Sequence, residues 1–179
     1  MSRNISSSKE ILSKEEPIED YKLPIKALIE TVSKDWKLGN LHGLKHWQNV
    51  HRNAILLMQP GVNPFVINAF AYLHDCCRIS NGSDILHGKR ALMVINNIRC
   101  TILKNFSDEE IELLKTACLL HTNVLRTGNL TIDTCFDADR LDLGRVGIKP
   151  NPHKMATSKG ADFANDFINF RIRRNDVDV

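Results

Sequence analysis

Four histidines stand in phase with apolar residues on four separate helical stretches, and a fold that turns those stripes inward must find polar partners for four buried rings. His74 follows Phe70 by four residues and Ile67 by seven. His46 precedes Val50 by four and Leu57 by eleven, and His87 precedes Ala91, Val94 and Ile98 by four, seven and eleven. His121 follows Cys118 by three, Leu114 by seven and Ile111 by ten. At helical periodicity these spacings put each ring on the apolar face of its own segment. A single histidine so placed is ordinarily a core residue with one satisfied hydrogen bond. Four at once call for a shared partner, because a buried ring nitrogen without one is costly. A transition-metal cation is the simplest such partner for neutral imidazole. Carboxylates are at hand: Asp75 adjoins His74, and "DADRLD" brings Asp137, Asp139 and Asp142. Asp139, between Ala138 and the Arg140–Leu141 pair, is the expected inward carboxylate. Asp137 and Asp142 are expected to be partly solvated.

Around these residues the sequence reads as helices joined by short connections, so the expected fold is all-α, a single-domain helical bundle. Strand-like alternation is almost absent. Ile25, Leu28, Ile29 and Val32 form one apolar stripe. A second helix runs through "GLKHWQNVHRNAILLM". Asn63 suits an N-cap and Pro64 the first helical position, and the following "FVINAFAYLHD" is apolar on nearly every face, as a central helix would be. A fourth helix is expected over about 86–104. Ser107 and Glu110 make a capping-box pattern with Phe106 and Ile111 as the staple. A shorter helix is expected in "CFDADRLDLG", ending near Gly144, and one amphipathic helix in "ADFANDFINFRIRR".

The 179 residues suit one domain, with residues 1–18, rich in Ser, Lys and Glu, as a mobile segment and 19–179 as the folded unit. A net charge of +3 is too mild to argue for a nucleic acid polymer as partner. No apolar run is long enough to span a bilayer, and "MSRNISSSKEILSKEE" lacks the apolar core of a secretory signal. The five cysteines, an odd number without CxxC spacing, read as reduced core or near-core thiols of a cytoplasmic protein. The oligomeric state is open.

The ordered set His46, His74–Asp75 and Asp139 resembles the H…HD…D signature of the HD-domain superfamily of metal-dependent phosphohydrolases, over roughly residues 40–150. With His87 in "DILHGKRA" and His121 in "LLHT", the order resembles that of members with two metals. "HDCCRISNGSDILHGKRA" and "DADRLDLGRVGIKP" look like a bacterial subset with an arginine three residues after the doublet. No Gly-Tyr-Pro motif of the cyclic-di-GMP phosphodiesterases is present. The resemblance implies that His46, His74, Asp75 and Asp139 hold one ion and that Asp75, His87 and His121 hold a second, with Asp75 bridging. One or two divalent ions are implied, with Mn, Fe, Co, Ni or Zn suited to this mixed donor set.

The implied activity is hydrolysis of a small phosphoester, a nucleotide first among the classes, with Asp75 and Arg78 as catalytic residues. Phosphate needs protein donors. Arg78 is the first candidate and Arg145 the second, with His42, one turn before His46, as a further substrate contact. Lys89, Arg90 and Lys149 are lesser candidates, and Arg140 is expected to pair with a neighbouring aspartate. His51 is expected to be exposed, and His153 lies in a proline-containing loop. Two alternatives share these residues: a mixed-valent di-iron oxygenase of the same superfamily, and a non-catalytic module that binds a nucleotide.

Overall fold

The computed structural model describes residues 23–179, and every regular element in that range is helical, as expected for an all-α bundle. The helices are α1 (Ile25–Ser33), α2 (Leu44–Leu57), α3 (Pro64–Leu73), α4 (His87–Ile98), α5 (Asp108–Leu120), α6 (Leu130–Arg140), α7 (Ser158–Asn165) and α8 (Phe167–Asn175). Two 3-10 turns, Leu143–Val146 and Pro152–Lys154, link α6 to α7. The expected mobile segment at residues 1–18 lies outside the described residues.

The chain is organised around α3. Asn63 caps it by accepting the N–H groups of Phe65 and Val66, and Pro64 opens it. Every residue from Val66 to Leu73 is buried. Helices α1, α2, α5 and α6 pack around it, and α4 pairs with α5. Helix α5 starts on the expected capping box: Ser107 Oγ accepts the Glu110 N–H, and the Glu110 carboxylate accepts the Ser107 N–H at 2.8 Å. Phe106 and Ile111 are both buried beneath it.

Several expected boundaries move, each for a packing reason. The helix expected over 86–104 stops at Ile98, because the chain turns there to bury Leu103 and Phe106. The helix through "DADR" begins early, at Leu130, where Asn129 accepts the N–H groups of Thr131 and Ile132. The expected single C-terminal helix breaks at Asp166 into α7 and α8, with Phe163, Phe167 and Phe170 grouped across the break. Cys118 and Cys135 are core thiols and Cys76 and Cys77 are partly buried, but Cys100 is exposed rather than near the core. Among the described residues no helix is long and apolar enough to cross a membrane.

His51 departs from the expected exposure. It is buried, 2.8 Å from the Tyr72 hydroxyl through Nδ1. Burial pushes Tyr72 up to about 12, so its hydroxyl stays protonated and donates. Burial, with help from Arg52, lowers His51 to about 4. The unfolded ring binds its proton near pH 6.5 and the folded ring only near 4. Stability from keeping this ring neutral is therefore complete above pH 6.5 and falls as the pH drops toward 4, by up to about 3 kcal/mol. Unfolding free energies of His51→Gln should depend less steeply on pH across that window than those of the parent chain. Equal slopes would reject the assignment.

Candidate metal centre

The candidate site lies where the ends of five helices meet. His46 stands in the first turn of α2, His74 is the C-cap of α3 with Asp75 next to it, and His87 is the first residue of α4. His121 is the C-cap of α5, and Asp139 lies in the last turn of α6. Three of these helices, α3, α5 and α6, contribute C-terminal ends, whose dipoles favour positive charge. All six expected ligand residues come together, and all but Asp139 are buried. The Asp139 side chain keeps 22% of its surface exposed, which leaves the cluster an opening.

The rings form two pairs. His46 Nε2 lies 3.1 Å from His74 Nε2, and His87 Nε2 lies 3.0 Å from His121 Nε2. In every ring the other nitrogen faces an oxygen acceptor. Nδ1 of His74 meets the Phe70 carbonyl at 3.1 Å, that of His121 the Cys118 carbonyl at 2.9 Å, and that of His87 the Asp84 carbonyl. His46 Nδ1 meets Asp142 Oδ2 at 2.8 Å. Those acceptors place the protons on Nδ1, so each pair turns two bare Nε2 lone pairs toward one another. Facing lone pairs repel unless a cation sits between them. A divalent ion held by both rings of a pair would supply that charge.

Asp75 joins the pairs. Its Oδ2 lies 3.7 and 3.8 Å from Nε2 of His46 and His74, and its Oδ1 lies 3.1 and 3.7 Å from Nε2 of His87 and His121. Oδ1 is buried and accepts no well-aligned hydrogen bond. Asp139 Oδ1 completes the first group, 3.4 Å from His46 Nε2 and 3.7 Å from His74 Nε2. Two buried three-residue groups that could hold a metal thus share Asp75: His46, His74 and Asp75, and Asp75, His87 and His121.

The local electrostatics differ from ring to ring. Burial pushes His74 down to about 3, so its ring stays unprotonated and free to ligate. Burial also pulls on His121, but Asp75 and Asp139 more than offset it and hold that ring above its usual value. Burial opposes ionisation of Asp75, yet its surroundings of histidine rings, with His42 Nδ1–H donating to Oδ2, hold the carboxyl well below the usual carboxylate range.

Asp142 corrects the expectation of a partly solvated residue. It is buried, orients His46 through Nδ1, and accepts Asn49 Nδ2 at 3.0 Å and Arg174 Nη1 at 2.8 Å. Neither Asn49 nor Arg174 stands out in the sequence, and Arg174 belongs to the most distant helix. Asp137 is buried too: its carboxylate receives the N–H groups of Ala156 and Thr157 and the Thr157 hydroxyl, tying α7 to α6. Asp142→Ala would strand the Arg174 charge and free the His46 ring. It should cost about 3–5 kcal/mol of stability and weaken any metal binding at the His46–His74 group roughly 10–100-fold. Denaturant unfolding and metal titration measure the two effects, and an unaltered metal affinity would remove Asp142 from the site.

The expected substrate contacts fall at different distances. Arg78 Nη1 lies 3.6 Å from Asp75 Oδ1, held there by bonds from its Nε and Nη2 to the carbonyls of Ser80 and Gly82. His42 Nδ1 lies 3.0 Å from Asp75 Oδ2 and donates its proton there, so the Arg145 Nη2 contact with the same nitrogen at 3.3 Å is not a second hydrogen bond. Arg145 instead braces the Leu41 and Asp142 carbonyls. Arg90 is taken up by Asp84 and the Cys77 carbonyl, and Lys89 is exposed. Arg140 pairs with Asp137 at 3.7 Å, as expected, and spans the carbonyls of Val124 and Leu125. His153 is exposed on a 3-10 turn. Lys149 lines a cavity of about 550 Å³ with Thr122, Lys154 and Ile148. The Thr122 hydroxyl in its wall is 3.4 Å from His87 Nε2, which sets that cavity beside the second pair. No family model matches the chain, and neither a curated protein nor a solved structure matches it.

Proposed function

We propose that this chain is a metal-dependent phosphohydrolase of the HD-domain type that acts on a small phosphoester, a nucleotide by class, through two divalent ions that share Asp75. The observation that carries this reading is the pair of facing Nε2 couples, with one Asp75 oxygen turned to each. Divalent ions supply Lewis-acid charge at the phosphoryl group and lower the pKa of a coordinated water from about 15.7 toward about 7. The chain's own residues do the rest. Asp142 and the carbonyls of Phe70, Asp84 and Cys118 hold the four rings as Nε2 donors. Arg78, fixed by the 78–82 turn beside Asp75, offers its guanidinium to a phosphoryl oxygen. The cavity next to Thr122, with Lys149 and Lys154 in its wall, has room for the remainder of the substrate.

Protein purified without chelator or added metal should carry close to two ions per chain, drawn from Mn, Fe, Co, Ni or Zn, by elemental analysis. Loaded with Mn or Co, it should release phosphate, pyrophosphate or a nucleoside from at least one member of a nucleotide panel, and a chelator should abolish this. Iron together with substrate-dependent O₂ uptake would replace this reading with the di-iron oxygenase. Tight nucleotide binding without turnover under any of the metals would replace it with a binding module.

A further inference from the structure

A second cavity, of about 510 Å³, lies on the far side of His46 from the candidate metal centre. Of the six ligand residues only His46 lines it, and the ring nitrogen on the Asp142 side is Nδ1, not the Nε2 that faces His74. Its wall carries four cations, Lys45, Arg145, Arg171 and Arg174, against one acid, Asp142. Arg174 is only 9% exposed, and although its Nη1 serves Asp142, its buried Nε has no partner at all. Arg145 is engaged by the Leu41 and Asp142 carbonyls and, at 3.7 Å, by the Asp142 carboxylate, whereas Lys45 and Arg171 are exposed and have no ion-pair partner among the described residues. Crowding like charges around a buried guanidinium is unfavourable unless an anion joins them. The half-buried Phe167 ring and Leu41 add an apolar wall. Helix α2 also opens beside the cavity with no side chain capping its first N–H groups.

We infer that this cavity is a second ligand site, separate from the metal centre, for a phosphorylated small molecule with a flat apolar part, its phosphate held by Lys45, Arg171 and Arg174 and its planar group laid against Phe167. The ligand chemistry is that of a nucleoside monophosphate. The cavity can hold such a molecule without touching Asp75 or Arg78, and two chains of contacts, Arg174–Asp142–His46 and Arg145–His42–Asp75, run from its wall to the first group.

Titration calorimetry with AMP at low ionic strength, on the full chain, tests the site. Asp75→Asn disables the metal centre, and one AMP per chain should still bind to it with the affinity seen in the parent. Adding Lys45→Ala and Arg171→Ala should weaken that binding at least tenfold while circular dichroism stays unchanged, and Arg171→Lys alone should largely preserve it. Inorganic phosphate should displace the AMP. Binding that disappears with Asp75→Asn alone, or that survives Lys45→Ala and Arg171→Ala unchanged, overturns the inference. Because the readout is binding in a chain without turnover, a failure of the phosphohydrolase reading leaves this result intact, and the reverse also holds.

Discussion

Asp75→Asn should leave a folded chain that retains little metal in either group. The carboxylate is the one residue common to both, with Oδ2 toward His46 and His74 and Oδ1 toward His87 and His121. An amide of the same shape keeps one oxygen and loses the negative charge, so one pair faces a donor NH₂ and both lose an anionic ligand. Elemental analysis should show metal falling from about two ions per chain to a small fraction of one, and phosphoester turnover should drop by about a thousandfold or more. Asp139→Asn is the informative contrast. Asp139 approaches only the His46–His74 pair, so that change should weaken one ion and spare the other. Full metal content in Asp75→Asn would mean that Asp75 does not bridge.

Gly88→Ala should remove the second ion selectively, although Gly88 ligates nothing. This glycine is buried where α4 crosses α5, and a Cβ there would overlap the Cys118 carbonyl oxygen. The obstacle is backbone, so it cannot swing aside, and the two helices must move apart. His87 is the neighbour of Gly88, and Cys118 supplies the carbonyl that orients His121, so parting the helices pulls the 3.0 Å Nε2 couple open. Overpacking of this kind costs about 1–3 kcal/mol of stability. The expected metal content is one ion per chain, with turnover down roughly a hundredfold, because a 1 Å misplacement can cost that much. Two ions at parental affinity would show that α4 and α5 can adjust without opening the pair.

The inward turn of the four histidines was legible in the sequence because it rests on local periodicity. A histidine four residues from a buried phenylalanine lies on the same helical face whatever the rest of the chain does, and so the phases of His46, His74, His87 and His121 were enough to turn them inward. The N-cap at Asn63, the capping box at Ser107 and the apolar α3 were legible for the same reason, since their partners lie within one or two turns. The helix ends that moved did so through longer contacts: Leu103 and Phe106 stop α4 by entering the core, and the phenylalanine group splits the last helix.

Local pattern alone was enough to say which faces are apolar and that the fold is all-α, and to single out the rings and carboxylates that a cation would need. The tertiary structure alone decided how they pair and what stands behind them. His51, Asp137 and Asp142 read as ordinary solvated polar residues until Tyr72, the start of α7 and Arg174 come up against them. A buried charge is stable only when its partner is already in place, and the partner of Asp142 lies 32 residues away on another helix. No local pattern encodes such a meeting, because it depends on how α8 closes over α2 and on the groups left inside when it does.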